Sequence, residues 1–489
     1  MVESFSWFGI DFGTTNSAAF SFTGTDKDHA NPISYGDDEG RPFPSVVAID
    51  KETGEVITGR AAKDQRNSII RTHQYFSSIK SLIDSEKKEI IAGKEWSAED
   101  IAAEIFKSLK ERMERGSKNI VKDAVVAVPV GYTARKKGHL RHAAAKAGIN
   151  IKMFITEPTA AFCSNYLELK SCRNVVVFDW GGGTLDVAVL RIESGKVYEL
   201  ATEGMPVAGN DIDKKLAEKM HAKFMRGKSP VISIEELGAR EPETMDLLMM
   251  KCEQAKCAFS DEDVAVISLY KYGSYGSVRE SVDYDFFALL LEPIINDAIG
   301  CLDRAIQNAG MNIANIDRIL CVGGSSQLRP LREKLSERYG EELIYYPKSV
   351  MWNIAEGAAI NSTQPGNYTV SKPIGMILSD GSFFPLIKSG QCIPCEEFHM
   401  TLGTVEGSED DVKEARFIFT DAEVAEDRSF EENFILPMRG FSDEVIMLSC
   451  YIDQDFIFKL KVGSNRMVED AYRVWSYDKL KICYQIEGK

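Results

Sequence analysis

Short apolar segments separated by glycine-containing turns dominate the first two thirds of the chain. Residues 7–22 contain two apolar segments on either side of a Gly/Thr/Asn turn, a pattern that predicts a β-hairpin. Residues 174–190 repeat this pattern, and Asp11 and Asp179 occupy the same place in the two copies. The repetition predicts a duplicated unit, with one copy opening each half of a large domain.

Between and after the two hairpins, buried strands alternate with segments whose apolar residues recur at helical spacing. Ser97 and Asp100 form a capping-box pattern at the first long helix, and Pro158 suits the first turn of a helix near Glu157. Strands are predicted at residues 124–128, 264–272, 278–284 and 319–322, and helices at 97–116, 133–147, 211–225, 243–259, 285–309, 328–339 and 351–360. This alternation predicts an α/β fold.

After residue 364 the pattern changes to the two-residue period of β-strands. The strand-like segments are residues 381–387, 415–420, 444–452 and 455–462. We therefore predict two domains: an α/β domain of residues 1–364 and a small all-β sandwich of residues 365–489.

The charge balance excludes two classes of partner. The 489 residues carry a net charge of −16, which argues against non-specific binding to nucleic acid or to anionic membranes. Residues 365–489 hold 22 acidic and 13 basic residues, so this quarter carries −9 of that charge. Apolar segments fall short of the about 20 residues that a membrane-spanning helix needs. Because the first residues also lack the basic start of a secretory signal, a cytoplasmic protein is expected.

Cysteine and histidine patterns give little support for a redox or metal site. The ten cysteines are scattered, and the one close pair, Cys392 and Cys395, has no second pair or histidine pair to match it. We interpret the thiols as buried or incidental. His139 and His142 are interpreted as surface residues, since no acidic or cysteine partner lies at metal-ligand spacing.

Three glycine-containing turns each follow a buried strand, and glycine lets backbone N–H groups approach a phosphate. Each turn alone is also compatible with a plain hairpin. Asp11 and Asp179 stand beside two of the turns, with Asp186 and Glu157 as further candidates. Carboxylates beside a phosphate are explained by Mg²⁺ between them, held through waters, or by an attacking water that they position. The turn residues are Gly13, Thr14, Thr15, Asn16, Gly181, Gly182, Gly183, Thr184, Gly323, Gly324 and Ser325.

Five motifs resemble the actin-like (ribonuclease H-like) ATPase superfamily and, within it, the seventy-kilodalton heat-shock (DnaK-like) chaperones. They are GIDFGTTNS at residues 9–17, AVVAVP at 124–129, TEPTAA at 156–161, FDWGGGTLD at 178–186 and VGGS at 322–325. The resemblance covers residues 8–360, continues weakly through FPLIKSGQCIP at 384–394, and implies a duplicated, two-lobed ATPase domain followed by a peptide-binding β-sandwich.

The resemblance implies binding of ATP or ADP with Mg²⁺, and K⁺ is a further candidate ion. Asp11 and Asp179 would organise Mg²⁺ through water, the glycine turns would hold the phosphates, and Glu157 would place the attacking water. Lys80 would offset phosphoryl charge, although spacing alone leaves an exposed helix lysine open as the alternative. Ribose contacts are expected from Glu253, Lys256 and Ser260.

Several positions depart from the pattern of the family. Cys257 and Gln327 stand where two arginines usually stack on adenine, so altered nucleotide affinity is expected. Met153 replaces a basic residue that contacts J-domain co-chaperones, which puts ordinary J-domain recruitment in doubt. Residues 366–370 lack the usual leucine-rich linker, so the domains are expected to be coupled weakly or differently. The chain ends soon after the β domain, so a helical lid is expected to be missing.

The acidic segment 406–432 is either a solvated loop or a rim that favours basic partners. Three functions were compared. An ATP-dependent chaperone, monomeric and slow in hydrolysis, that binds extended peptides or one dedicated protein is the main hypothesis. A nucleotide-binding regulatory protein with little ATPase activity and one partner is the alternative. A metabolite kinase is disfavoured, because it would not need the β domain.

Overall fold

A computed structural model describes residues 5–25, 30–363, 367–403, 414–438, 444–467 and 472–486. The chain forms two compact units. The first unit contains Met1–Val130, Gly138–Ile192 and Leu200–Gln364, and the second contains Gly131–Lys137, Glu193–Glu199 and Pro365–Lys489. Two short segments from the α/β part of the sequence therefore belong to the second unit.

The described residues form the following α-helices: α1 (Gly59–Ile69), α2 (Ile79–Leu82), α3 (Ala98–Ser117), α4 (Ala134–Lys146), α5 (Glu157–Ser164), α6 (Tyr166–Leu169), α7 (Gly209–Phe224), α8 (Ile234–Arg240), α9 (Pro242–Ala258), α10 (Tyr284–Asn308), α11 (Arg329–Tyr339) and α12 (Asn353–Thr363). The strands up to residue 345 are β1 (Phe5–Asp11), β2 (Asn16–Gly24), β3 (Asn31–Tyr35), β4 (Phe43–Pro44), β5 (Val47–Asp50), β6 (Val56–Thr58), β7 (His73–Phe76), β8 (Glu89–Ile91), β9 (Lys94–Trp96), β10 (Asp123–Val128), β11 (Asn150–Thr156), β12 (Asn174–Trp180), β13 (Leu185–Glu193), β14 (Lys196–Met205), β15 (Val264–Leu269), β16 (Val278–Asp283), β17 (Arg318–Val322) and β18 (Ile344–Tyr345). The remaining strands are β19 (Asn367–Val370), β20 (Ile374–Ile377), β21 (Phe383–Ile387), β22 (Cys392–Ile393), β23 (Cys395–Gly403), β24 (Glu414–Thr420), β25 (Glu431–Pro437), β26 (Val445–Ile452), β27 (Phe458–Ser464), β28 (Arg473–Tyr477) and β29 (Ile482–Gln485).

The first unit contains two sheets with the same connectivity, which confirms the predicted duplication. One sheet has the order β3-β2-β1-β10-β11, and the other contains the strands β14-β13-β12-β17-β18 in that order. In each sheet the opening hairpin is antiparallel, and its first strand pairs in parallel with the strand that follows in space. Asp11 ends β1 and Asp179 lies next to the end of β12, so the two aspartates occupy equivalent positions.

Local signals explain several helix boundaries. The Ser97 side chain accepts from the backbone of Asp100, whose carboxylate accepts from the backbone N–H of Ser97, which completes the predicted capping box. Gly9 and Gly357 permit close packing of α12 against β1 and α5, because a Cβ atom at either position would approach neighbouring backbone closer than 3.0 Å. The last predicted helix begins two residues later than expected, at Asn353.

The second sheet of the first unit is embedded in a large apolar core. Phe178 and Trp180 of β12 are fully buried, and their rings pack edge to face with centroids 6.3 Å apart. Helices α7, α9, α10 and α11 contribute buried apolar residues to the same core. This packing fixes the end of β12, where Asp179 lies, against a rigid support.

The second unit contains two four-stranded sheets, ordered β21-β20-β24-β25 and β23-β26-β27-β28. Stacked aromatic rings join them: Phe419 of β24 lies 5.9 Å from Trp475 of β28, measured between ring centroids. The predicted β-sandwich is confirmed. Strand β19 pairs with β22 and β29, and β29 also pairs with residues 196–198. Residues 367–370 of the segment expected to be a linker therefore form a strand of this unit.

Candidate active site

The two glycine turns of the hairpins face each other. A Cβ atom on Gly182 would lie within 3.0 Å of the Thr15 side chain, and one on Gly183 would also lie within 3.0 Å of that of Thr14. The turn of the first hairpin requires glycine at position 13, because a Cβ atom on Gly13 would collide with the backbone of Asn16. The duplicated turns thus form the two opposing sides of one narrow site.

The third predicted turn follows β17 and lies against the second hairpin turn in the same site. Gly323 adopts φ +81°, and a Cβ atom there would approach the Asp179 carboxylate to 2.5 Å, so glycine is needed on both grounds. The Ser325 hydroxyl donates to the carbonyl oxygen of Gly181 at 2.7 Å. A 3₁₀ turn at Gly324–Gln327 separates Gly323 from the N-terminus of α11.

Four carboxyl groups and one ammonium group meet beside the turns. Lys80 lies on α2, is only 6% exposed, and forms an ion pair with Glu157 at the start of α5. Asp186 stands directly across the hairpin from Asp179 and accepts a hydrogen bond from Thr184 at 2.8 Å. The equivalent partner of Asp11 in the first hairpin is Ala18, so Asp186 is specific to the second copy.

Burial raises the pKa of all four carboxyl groups. For Asp11, burial outweighs the opposing effect of Lys80. The pKa of Asp179 is raised further by the charges of Glu157, Asp186 and Asp11. Burial raises the pKa of Glu157 to about 7, against the attraction of Lys80, and burial also raises that of Asp186 despite its bond from Thr184. One lysine does not neutralise four carboxylates, and the excess negative charge favours a bound cation.

The donor set fits Mg²⁺ held through water. Within the described ranges, no three His, Cys, Asp or Glu side chains are arranged to hold a metal ion directly. Mg²⁺ commonly keeps several waters and needs only one or two protein carboxylates together with phosphate oxygens. Asp11 and Asp179, which lie beside the glycine turns, can supply those carboxylates.

Polar residues on α7 and α9 line the next part of the site. The Lys256 ammonium donates to Asp213 at 2.8 Å and to the carbonyl oxygen of Gly209 at 3.0 Å. Glu253 forms an ion pair with Lys63 of α1 at 2.7 Å. Burial raises the pKa of Asp213 to about 6 against the attraction of Lys256. Sequence reasoning missed Asp213, which stands among several charged residues of α7 and has no local motif.

Apart from Asp213 and Lys63, the side chains described above line one cavity of about 370 Å³. The sequence-predicted residues in its wall are Asp11, Gly13, Thr14, Thr15, Asn16, Lys80, Glu157, Asp179, Gly181, Gly182, Gly183, Thr184, Glu253, Lys256, Ser260, Gly323, Gly324 and Ser325. The fold therefore gathers every predicted binding and catalytic residue, although their roles stay predictions. A second cavity of about 280 Å³ is also lined by Glu157, Asp179 and Asp186.

The two positions expected to have lost adenine-stacking arginines differ in placement. Cys257 lines the cavity, whereas Gln327 is not among its lining residues and donates to the Ser326 hydroxyl at 3.2 Å. Met351 lines the cavity beside Gly324 and was not predicted from the sequence. It lies in the turn before α12, where no motif identified it.

Ionic contacts link α1 and the segment after it to α9 beside the cavity. Arg66 lies 2.5 Å from Asp246, and Arg71 forms an ion pair with Glu243. Together with the Lys63–Glu253 pair, these contacts connect two elements whose residues line a neighbouring cavity. They form a row of cross-links near the site.

The remaining sequence predictions have mixed outcomes. Cys392 is exposed and Cys395 partly exposed, whereas six other cysteines are buried. His139 and His142 do have an acidic neighbour, because the fold brings Glu99 within 2.6 and 3.3 Å of their Nδ1 atoms. Residues 404–413 of the acidic segment lie outside the described residues.

In the described part of the chain, no helix is both long and apolar enough to cross a membrane. Comparison with protein families shows that residues 7–364 match the family described as Hsp70 protein. Its members are chaperone-type ATPases that use ATP or ADP with Mg²⁺ and generally bind peptide substrates and co-chaperones. The match covers more than half of the 489 residues and includes every candidate site residue. The chain therefore belongs to the Hsp70 family, within the actin-like ATPase superfamily.

Proposed function

We propose that this protein is an ATP-dependent molecular chaperone that binds Mg·ATP in the cavity, hydrolyses it slowly, and thereby controls the binding of peptides or of one partner protein. The observation that carries the proposal is the group of four carboxyl side chains and Lys80 beside two opposed glycine turns, in which Lys80 and Glu157 are buried and the three aspartates are partly buried. A buried excess of negative charge is costly without a cation, and a metal-bound phosphate site explains why it is retained.

Each group has a defined task in this proposal. Asp11 and Asp179 hold the waters of Mg²⁺, and Glu157 orients the attacking water. Lys80 offsets charge on the transferring phosphoryl group, and the turns around Thr14 and Gly182 donate backbone N–H groups to phosphate oxygens. When bound, Mg²⁺ supplies charge neutralisation at the phosphates. K⁺ is a further candidate for the phosphate region.

The β-sandwich of residues 365–489 is proposed to bind the substrate or partner. Its net charge of −9 favours extended apolar peptides flanked by basic residues. We further propose that the protein acts without an ordinary J-domain co-chaperone, because Met153 offers no charge to an acidic or basic partner surface.

Two observations favour the alternative, a nucleotide-binding regulatory protein with little ATPase activity. Cys257 lines the cavity in place of an arginine. Strand β19, at the position of the usual linker, is paired on both sides by β22 and β29. A linker engaged in this way would transmit nucleotide state less readily to a peptide site.

Steady-state phosphate release and peptide binding separate these functions. The wild-type protein and Asp179→Asn are compared with Mg·ATP, and the retention of a fluorescent, basic-flanked apolar peptide is measured with ATP and with ADP. The chaperone proposal predicts slow phosphate release that Asp179→Asn abolishes, and different peptide retention in the two nucleotides. Tight nucleotide binding with phosphate release no higher than that of the variant would favour the regulatory protein.

A further inference from the structure

Three partly exposed aromatic side chains of the second unit lie against one another. Trp475 and Tyr477 belong to β28, the edge strand of its sheet, and Phe430 directly precedes β25 of the other sheet. The Phe430 and Tyr477 rings stack with their centroids 4.2 Å apart. The Trp475 centroid lies 5.9 Å from that of Tyr477 and 6.0 Å from that of Phe430. We name Phe430, Trp475 and Tyr477 the aromatic platform.

The core of the sandwich holds the aromatic platform in place. The Trp475 ring packs on Phe419 of β24 and on Phe458 of β27, with the ring centroids 5.9 Å apart in each case. Both phenylalanines are fully buried. A ring that is fixed by the core loses little conformational freedom when a ligand contacts it, so the platform is a pre-organised surface.

Carboxyl groups flank the aromatic platform. Asp421 is buried and accepts hydrogen bonds from the backbone and the side chain of Ser429, the residue before Phe430. Asp478 follows Tyr477 and is exposed. Burial and the negative charges of Asp421 and Asp478 raise the pKa of Tyr477 to about 12, so both carboxylates lie near this ring. Aromatic faces together with negative charge attract cations.

Basic side chains of the same turn balance only part of this charge. Lys372 lies 3.6 Å from the Asp421 carboxylate and donates to the carbonyl oxygen of Asp427. Arg428 donates to the Glu431 carboxylate at 2.7 Å and to two backbone carbonyl oxygens. Residues 421–432 nevertheless contain six acidic residues and one basic residue. An excess of negative charge therefore remains for a partner.

We propose that the aromatic platform binds arginine side chains of a partner protein, with the guanidinium stacked on the rings and its charge balanced by the neighbouring carboxylates. This inference rests on the proposed function in one respect, because it assumes that the β-sandwich engages the partner. A guanidinium is planar, weakly hydrated and able to stack on aromatic rings, whereas a lysine ammonium is a compact, strongly hydrated charge. Arginine should therefore bind more tightly than lysine.

Fluorescence anisotropy of a labelled peptide on the full chain tests the inference. The labelled molecule is a glycine–serine peptide with two arginines, and matched peptides carry lysine or citrulline, which keeps the planar side chain without its charge. The citrulline peptide should bind about 5- to 30-fold more weakly, because it loses the cation–π interaction. Equal affinities for arginine and citrulline overturn the inference.

The peptide experiment is carried out without nucleotide, so its result does not depend on ATP binding or hydrolysis. If arginine has no advantage while retention of an apolar peptide still differs between ATP and ADP, the inference fails and the proposed function stands. If arginine is preferred but retention is the same in both nucleotides, the proposed function fails and the arginine surface stands.

Variants separate ring contact from charge. Phe430→Leu removes the ring that stacks on Tyr477 and should weaken the arginine peptide by about three- to tenfold. Phe398→Leu, at a 41%-exposed ring of β23, is the matched control and should leave the affinity unchanged. Asp478→Asn changes an exposed side chain, so folding is not at risk, and should weaken binding by about two- to fivefold. Unchanged affinity in both Phe430→Leu and Asp478→Asn, or equal losses in Phe430→Leu and Phe398→Leu, overturns the inference.

Two further outcomes would assign the surface differently. Aromatic rings also contact sugar rings, so maltohexaose and cellohexaose are titrated against the same chain. Binding of a hexasaccharide without any preference for arginine overturns the inference in favour of a carbohydrate. Equal binding of the arginine and lysine peptides that survives Phe430→Leu and disappears at high salt would show non-specific attraction to the acidic unit, which also overturns it.

Discussion

Removal of the Lys80 ammonium is the sharpest perturbation of the candidate site. The side chains of Lys80 and Glu157 are 7% and 8% exposed, so their ion pair is buried. Breaking a buried pair by removing one partner typically costs about 3–5 kcal/mol, since the other charge is left uncompensated. In Lys80→Met the carboxyl groups of Asp11, Asp179 and Asp186 would add their repulsion to that of Glu157. We therefore expect the folded protein without nucleotide to lose stability by about this amount.

The assay is urea unfolding without nucleotide, followed by the fluorescence of tryptophan. Lys63→Met is the matched control, because the Lys63–Glu253 side chains are 28% and 35% exposed and such a pair contributes about 1 kcal/mol or less. Glu157→Gln in the Lys80→Met background should recover part of the loss, because it removes one of the unopposed carboxylates. Equal effects of Lys80→Met and Lys63→Met, or no recovery by Glu157→Gln, would refute the electrostatic account.

The same variant has a defined pH dependence. The pKa of Glu157 is raised from its ordinary value of 4.5 to about 7 in the folded protein. The folded state therefore binds more protons than the unfolded state between these values, and the contribution of this group to stability falls as pH rises through about 7. Without Lys80 the pKa rises further, so the destabilisation of Lys80→Met relative to wild type should be larger at high pH than at low pH. A destabilisation that is larger at low pH would contradict this sign.

Three further predictions concern the packing of α12, the protonation of Glu157 and the release of nucleotide. Gly357→Ala should destabilise the protein by about 1–3 kcal/mol or more in thermal unfolding, because its methyl group would meet the backbone of α5. Gly138→Ala should be neutral or stabilising, because no heavy atom lies within 4 Å of the Cβ position there. Binding of Mg·ADP near pH 7 should release protons from Glu157, which calorimetry in buffers of different ionisation enthalpy would detect and which Glu157→Gln should reduce; equal release by both proteins would refute it. Arg66→Met should speed the release of fluorescent ADP in stopped-flow measurements, because the ion pair with Asp246 links α1 to α9; an unchanged rate would show that this contact does not retain nucleotide.

Local patterns in the sequence predicted the hairpins, the duplication and the glycine turns of the site, whereas Lys80, Glu253, Lys256 and Ser260 were named from the family resemblance. The Gly-Thr-Thr and Gly-Gly-Gly turns were identifiable because glycine between apolar strands has a local cause. The capping box at Ser97 and Asp100 was equally local, and the structure shows both of its hydrogen bonds. Such features need only neighbouring residues to be specified, so a single sequence suffices.

Features that depend on distant contacts could not be predicted in this way. Asp213 became recognisable only when the fold placed it 2.8 Å from Lys256. Met351 lies in a turn, where apolar periodicity carries no signal. The pairing of β29 with residues 196–198 joins strands almost 300 positions apart in the sequence, and no local pattern specifies such a partner.

Single-turnover hydrolysis distinguishes an ATPase site from a site that only binds nucleotide. Wild-type protein in excess is mixed with trace ATP labelled in the γ-phosphate and with Mg²⁺, and the conversion to phosphate is followed alongside Asp179→Asn. We expect slow, complete and Mg²⁺-dependent conversion by the wild type, and bound but intact ATP in Asp179→Asn. Bound ATP that stays intact on the wild-type protein, or equal conversion by the two proteins, would contradict the assignment of this cavity as an ATPase site.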